Sequence, residues 1–221
     1  MRKAKYPRSI ILAVALYLVA AISAAVTQQN WEFLKVYIPF FIIFAGVVAL
    51  MHARVDFSNF LLWCFAFWGA IHFAGGLVSL PDGWDFDGEN QVLYSWWVAG
   101  KWLKYDHCVH SFGFGACTWL TWEALRASVQ QRLGRKLFPS LGMIALCVFA
   151  GMGLGALNEI IEFVAVLIIP ETNVGGYVNT GWDLMANLAG CLFAGILILF
   201  RGSEFLCCND SYGVRWGWQK A

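Results

Sequence analysis

Six apolar stretches, each long enough to cross a lipid bilayer, constrain this chain more than any other feature. They run roughly Ser9–Val26, Val36–Met51, Phe57–Leu80, Tyr105–Leu125, Leu141–Ile169 and Trp182–Phe200. At about 1.5 Å per helical residue, about twenty residues traverse a hydrocarbon core of about 30 Å. Within that core every backbone N–H and C=O needs a partner inside the protein, which leaves helices or a closed barrel. The stretches lack the alternation over about ten residues that marks barrel strands. The chain is therefore expected to be an all-α, polytopic membrane helix bundle with six transmembrane helices. The fifth stretch is longer than a span requires and should tilt, bend or project. Composition agrees. The 221 residues are 60% hydrophobic and 13% charged, where a soluble domain carries about 25% charge.

The basic residues set an expected orientation. With a cytoplasmic N-terminus, Arg2, Lys3, Lys5, Arg8, Arg54, Arg126, Arg132, Arg135, Lys136, Arg201, Arg215 and Lys220 all fall inside, 12 of the 15 Lys and Arg. Lys35, Lys101 and Lys104 fall outside. Cytoplasmic enrichment of this kind predicts both termini in the cytoplasm and an even number of spans. A bacterial inner membrane and a multi-pass chain are the expected setting. Residues 1–25, with a basic start, an apolar run and small residues at the end, also suit a signal peptide; an uncleaved first helix is the expectation. Residues 1–221 read as one transmembrane domain without a long linker. No nucleotide-binding loop or nucleic-acid surface is visible, so no nucleic-acid partner is expected.

The connecting segments are informative in two places. "PDGWDFDGENQVLYSWWVAGKW" is acidic, then rich in tryptophan. Trp84, Trp96, Trp97 and Trp102 suit an interfacial belt, and part of the segment reads as a short helix lying on the membrane. "PETNVGGYVNTG" reads as a turn-rich loop between the fifth and sixth spans. Gly151, Gly153 and Gly155 lack the preceding strand of a dinucleotide site and read as helix-packing positions. Of seven cysteines, Cys64, Cys117, Cys147 and Cys191 lie in spans and read as small packing residues. No disulfide framework is expected, and Cys207 and Cys208 follow the last span as reduced thiols or palmitoylation sites. His52 reads as an inner-loop residue.

Polar residues recur on three spans at helical spacing. The fourth begins "YDHCVH", with Asp106, His107 and His110. The fifth contains "NEIIE", with Asn158, Glu159 and Glu162. The sixth contains "WDLMANLAG", with Asp183 and Asn187. Residues three or four apart share a helix face. Each helix therefore points a polar pair at one centre. Their depths also match, since Glu159 lies about ten residues, or about 15 Å, from the outer end of its span. His72, in the outward half of the third span, is placed to join them.

An intramembrane charge costs about 2.5–3.5 kcal/mol even on a lenient insertion scale. Four acids at one depth need a cation, histidine charge or shared protons. A divalent metal is the expected cofactor. Histidine with carboxylates suits Zn or Mn, and an oxygen-rich subset suits Ca or Mg. The expected ligands are Asp106, His110, Glu159, Glu162 and Asp183, supported by Asn158, Asn187 and His72. His110, His107 and Glu159 are the candidate catalytic groups. The competing reading is interhelical pairing with no ligand.

The order and spacing of these residues resemble the VanZ-like membrane proteins. Those show Asp-x-x-x-His at one helix start, Glu-x-x-Gln in the next helix and Asp-x-x-x-Asn-x-x-Gly in another. Asp106 and His110, Glu159, and Asp183, Asn187 and Gly190 occupy the matching positions. Glu162 stands where Gln is usual, and His107 where Lys is common. The chain is more similar still to an uncharacterised bacterial inner-membrane group with a YDHxxH motif. The resemblance makes about 105–200 a VanZ-like core and 1–104 extra N-terminal helices with an outer loop. VanZ-like proteins are associated with glycopeptide resistance, and a distant similarity links them to base-exchange phosphatidylserine synthases. The resemblance therefore implies chemistry at phospholipid headgroups, with membrane lipid as partner.

Three functions compete at this stage. A metal-dependent headgroup hydrolase or transferase would use the cation to polarise a phosphate or ester oxygen, with a histidine as base. A proton, ion or small-molecule transporter would use the same residues as a relay; it needs polar groups on the inner side, where these spans are apolar. An accessory subunit of a larger membrane complex, or a homo-oligomer, would use the aromatic surface.

Overall fold

The computed structural model describes residues 6–88, 90–169, 172 and 174–204. Helix α1 spans Arg8–Thr27. A π-helical turn, Phe33–Tyr37, leads into α2, Ile38–Val55, and α3 spans Asn59–Leu77. A 3-10 turn at Leu93–Ser95 precedes strands β1, Trp97–Ala99, and β2, Leu103–Lys104. Helices α4, Tyr105–Leu133, α5, Leu141–Ile168, and α6, Tyr177–Glu204, complete the bundle. Cys207, Cys208, Arg215 and Lys220 lie outside the described residues, as do Arg2, Lys3 and Lys5.

Five helical segments are long and apolar enough to cross a membrane: Arg8–Thr27, Phe33–Val55, Asn59–Leu77, Leu141–Ile168 and Tyr177–Arg201. Helix α4 is long enough at 29 residues but is not among them. Its position explains why. It packs against α3, α5 and α6 at the centre of the bundle, so neighbouring helices rather than lipid surround it. A shielded helix can carry His, Asp, Thr, Ser and Gly where a lipid-facing one cannot. The peripheral helices show the opposite pattern, with Leu12, Leu16, Ile43, Leu146, Phe149 and Phe193 exposed. Apolar exposure on this scale suits a lipid solvent.

Sequence expectations need four adjustments. Beyond the 3-10 turn at Leu93–Ser95, the tryptophan-rich segment forms no helix among its described residues. It folds into the antiparallel β1–β2 pair, with Trp97 opposite Lys104, because Gly100 at φ 54° permits the tight reversal. The chain is thus helical with one small hairpin. Helix α4 continues eight residues past Leu125 to Leu133, on a polar Arg-Gln stretch that projects from the apolar region. Helix α6 begins at Tyr177, absorbing part of the expected loop. His52 lies within α2 and is 1% exposed, its ring packed between Tyr6 at 5.1 Å and Phe57 at 6.2 Å.

Two polar devices fix the helix ends opposite the hairpin. Ser58 caps α3, its hydroxyl accepting from the Leu61 N–H at 3.2 Å. Glu123 on α4 accepts from the Ser58 N–H at 2.8 Å, the Ser58 hydroxyl at 2.6 Å and the Trp119 indole at 3.0 Å. One carboxylate thereby pins the start of α3 to α4. Ser140 caps α5 by accepting from the Met143 N–H at 3.4 Å.

Helices α4 and α6 make the most extensive contact in the bundle. Gly190 allows it. A Cβ there would overlap the Ser111 carbonyl, and one at Gly115 would meet the Gly190 carbonyl at 3.0 Å. Gly151 and Gly155 of α5 likewise face Thr118 and Asn187, whereas Gly153 faces open space. Backbone-to-backbone approach is how helices associate where no hydrophobic force separates protein from solvent. Gly190→Ala should lower the stability of the detergent-solubilised protein by about 1–3 kcal/mol through overpacking. Thermal unfolding would read this; an unchanged midpoint would show that the crossing tolerates a side chain.

Candidate functional site

The α4–α6 crossing places Asn187 and Asp183 one and two turns before Gly190, against the first turns of α4. Helix α5 closes the third side with Glu159 and Glu162. His110 is the hub. Its Nε2 lies 3.6 Å from Asp106 Oδ1 and 3.9 Å from Glu162 Oε1, and its Nδ1 lies 3.6 Å from Glu159 Oε1. Nδ1 also donates to Asn187 Oδ1 at 3.2 Å. In a neutral ring with that bond, Nε2 keeps a lone pair, and it faces Asp106 and Glu162.

Two overlapping sets of ligand atoms result. Asp106, His110 and Asp183 form one, and His110, Glu159 and Glu162 the other; within each set the atoms lie within 4.8 Å of one another. Asp183 and Asn187 are fully buried, and His110 and Glu159 are 6% and 9% exposed. Among the described residues, neither Glu159 oxygen meets a donor in good hydrogen-bond geometry, and Asp183 Oδ1 is equally unpartnered. The Asn158 amide beside Glu159 is directed instead at Glu162 Oε1, at 2.7 Å. Buried carboxylate oxygens without donors are costly unless a cation or a proton completes them.

The expected residues do not all converge. His107, three residues before His110, turns to another face of α4. Its ring stacks on Trp182 at 5.8 Å, and its Nδ1 accepts from the Lys104 N–H at 3.2 Å. His72 approaches the cluster but is committed elsewhere, its Nδ1 lying 2.7 Å from the Tyr94 hydroxyl, which also donates to the His72 carbonyl at 2.9 Å.

Five residues enter that the sequence did not single out. Glu32, Tyr37 and Tyr94 line a cavity of about 40 Å³ together with His72, Asp106, His110 and Glu162. Burial pushes the Tyr94 phenol well above its usual pKa, which keeps its proton in place. Asn179 donates to Asp183 Oδ2 at 2.6 Å and accepts from Lys104 Nζ. Lys104 also pairs with Asp87 at 3.5 Å. A lysine read as a loop charge therefore reaches the cluster through one amide. Asn179 was hidden because it falls in the expected loop; once α6 starts at Tyr177, it sits one turn before Asp183 on the same face.

A helical bundle in which five helical segments are long and apolar enough to cross a membrane, enclosing a buried acidic and histidine centre, is the architecture of an integral membrane protein. The comparison with protein families gives the same class. Residues 6–204 match the family described as "Predicted membrane protein (DUF2238)", and the chain belongs to that family. Searches of curated proteins and of solved structures returned no match. Asn187→Leu keeps the side-chain volume but leaves His110 Nδ1 without its acceptor. It should cost about 1–3 kcal/mol, read as a lowered thermal midpoint; an unchanged midpoint would show that the Asn187 bond does not hold His110.

Proposed function

We propose that the cluster binds one divalent cation and that the protein acts on membrane-lipid headgroups as a hydrolase or transferase. The spacing around His110 carries this reading. The gaps from His110 Nε2 to Asp106 and Glu162, 3.6 and 3.9 Å, are too long for hydrogen bonds. Two ligand atoms that each lie about 2.1 Å from a tetrahedral ion are about 3.4 Å apart. The gaps therefore suit atoms that share an ion. His110 belongs to both ligand sets, so one cation held there draws its carboxylates from α4, α5 and α6. Asn187 and Asn158 then orient His110 and Glu162 from behind, as outer partners of metal ligands do. Histidine with carboxylates favours Zn or Mn over Ca or Mg.

The cation would polarise a phosphate or ester oxygen. Glu159, with uncommitted oxygens, is placed to take a proton from water or a headgroup alcohol. His110 is then a ligand rather than the base. A vestibule of about 630 Å³, lined by Lys104, Asp106, Asn179 and Trp182 among others, gives a headgroup its approach. It shares Tyr94, Asp106 and Asn179 with the small cavity beside His110. Transport across the membrane is less well supported, since the core beyond the cluster is apolar, with Cys117, Leu120, Cys147 and Ile198 buried there.

The topology proposed with this site has α4 as the sixth span and both termini cytoplasmic, in a bacterial inner membrane. The 12 of 15 basic residues on that side and the likeness of residues 105–195 to VanZ-like proteins support it. A reporter fused after Ala221 should then behave as cytoplasmic, and a periplasmic signal would overturn the six-span arrangement.

Metal analysis of purified protein tests the site. Wild type should carry about one divalent ion per chain, and Glu159→Gln and Asp106→Asn should carry less while still inserting and folding. Glutamine keeps the size of Glu159 and removes only its charge. A wild type that holds no metal, even after incubation with Zn or Mn, would refute the reading.

A further inference from the structure

We propose that His107 is a lipid-binding residue, donating a hydrogen bond from Nε2 to a phosphate or ester oxygen of a phospholipid whose acyl chain lies in a groove between α3, α4 and α6. The proposal rests on reading this end of the bundle as a headgroup site, but not on the metal.

His107 carries the inference through its hydrogen bonds. The Lys104 N–H donates to Nδ1 at 3.2 Å. A nitrogen that accepts has no proton, so the neutral ring carries its proton on Nε2. His107 is 5% exposed, and Nε2 has no hydrogen-bond partner among the described residues. A buried N–H donor without an acceptor is a defect unless a ligand supplies one. Among the described residues, His107 is also the one that lines both the polar vestibule and a second cavity of about 530 Å³. That second cavity is an apolar groove, with Cys108, Phe112, Ala116, Ala189 and Phe193 along it.

The shape and setting of the groove select the occupant. From His107 to Trp119 the groove follows α4 for about 18 Å, at about 1.5 Å per residue. Half a bilayer core is about 15 Å. One acyl chain of the adjacent leaflet therefore fills it from end to end. Small residues make its floor, and Cys108 and Ala189 are open to the surroundings, so a chain can enter sideways from the bilayer. At the groove's head the environment changes from apolar to polar within one residue, as it does at the ester linkage of a phospholipid. The unpartnered Nε2–H donor sits at that change. A headgroup anchored there enters the vestibule beside Asp106, the adjacent residue and a member of the His110 cluster.

Native mass spectrometry of delipidated, detergent-solubilised protein given 1-palmitoyl-2-oleoyl phosphatidylglycerol tests this. Wild type should retain one lipid at collision energies that strip detergent. Ala189→Trp, or the milder Ala189→Leu if the larger side chain prevents folding, fills the groove and should abolish retention. Leu16→Trp, on the exposed face of α1, should retain lipid as wild type does. His107→Asn keeps an acceptor for the Lys104 N–H, while its shorter amide donor stops short of the Nε2 position; retention should fall about fivefold, the worth of one net hydrogen bond. Glu159→Gln should keep the lipid even where it loses metal, which separates this proposal from the metal reading. No retained lipid in wild type, or equal retention in wild type and the folded groove variant, would overturn the groove. Retention unaffected by His107→Asn would overturn the role of His107.

Discussion

The close approach of α4 to α6 is the contact on which the rest depends. Gly190 meets the Ser111 carbonyl without an intervening side chain, and Gly115 faces the Gly190 backbone. In a bilayer, lipid tails are as apolar as leucine, so helices gain little by hiding apolar surface from them. Dense packing and interhelical hydrogen bonds must supply the association instead. Small residues at the crossing bring Asn187 and Asp183, one and two turns away, within reach of the first turns of α4. A larger residue at position 190 would separate the helices where the His110–Asn187 bond of 3.2 Å must form. The geometry of the polar centre is thus a consequence of backbone packing one or two turns below it.

Polarity in α4 follows from its central position. A helix that touches lipid is limited to apolar side chains, whereas one enclosed by α3, α5 and α6 can carry acids and imidazoles that its neighbours satisfy. The acids still repel one another. Lys104 offsets part of that repulsion through Asn179, and it does so from the hairpin rather than from a span. The β1–β2 pair therefore has an electrostatic role as well as an interfacial one. It holds Lys104 at the mouth of the cluster, where a membrane-embedded lysine would be costly.

Much of this was legible in the sequence, for a definite reason. Apolar run length reports helices, and spacing of three or four reports a shared face. Asp106 with His110, Glu159 with Glu162, and Asp183 with Asn187 were therefore visible as facing pairs. What spacing cannot report is contact between distant segments. Glu32, far from α4 in sequence, and Tyr94, in the segment before the hairpin, carry no helical spacing to α4, and only the fold brings them to the cavity beside His110. Asn179 was obscured by a misplaced helix start, because "GGYVNTG" carries turn-forming residues that tertiary packing overrides. The hairpin was obscured by tryptophans that suit a surface helix and a strand equally well. Helix α4 reads as a span by length yet falls short in apolar content, since sequence hydropathy does not know which helix is central.

The two histidines of "YDHCVH" show how finely a short segment can divide its work. Residues three apart on a helix point about 60° from each other, at about 100° per residue. That angle is small enough for both rings to sit at the same depth and large enough for them to meet different partners. His110 turns toward α5 and meets Glu159 and Glu162. His107 turns toward Trp182 on α6 and the groove beside it. With both rings neutral, their nitrogens take opposite senses. His110 Nδ1 donates to Asn187, which leaves Nε2 as a lone pair suited to a cation; His107 Nδ1 accepts from the Lys104 N–H, which leaves Nε2 as a donor suited to an anion or ester oxygen. Substituting a lysine at position 107 would supply a donor too, but without the flat face that stacks on Trp182 or an acceptor for the first turn of α4. On the proposed reading, the same residue type, set one turn apart, would present a lone pair to a cation and a donor to a lipid oxygen.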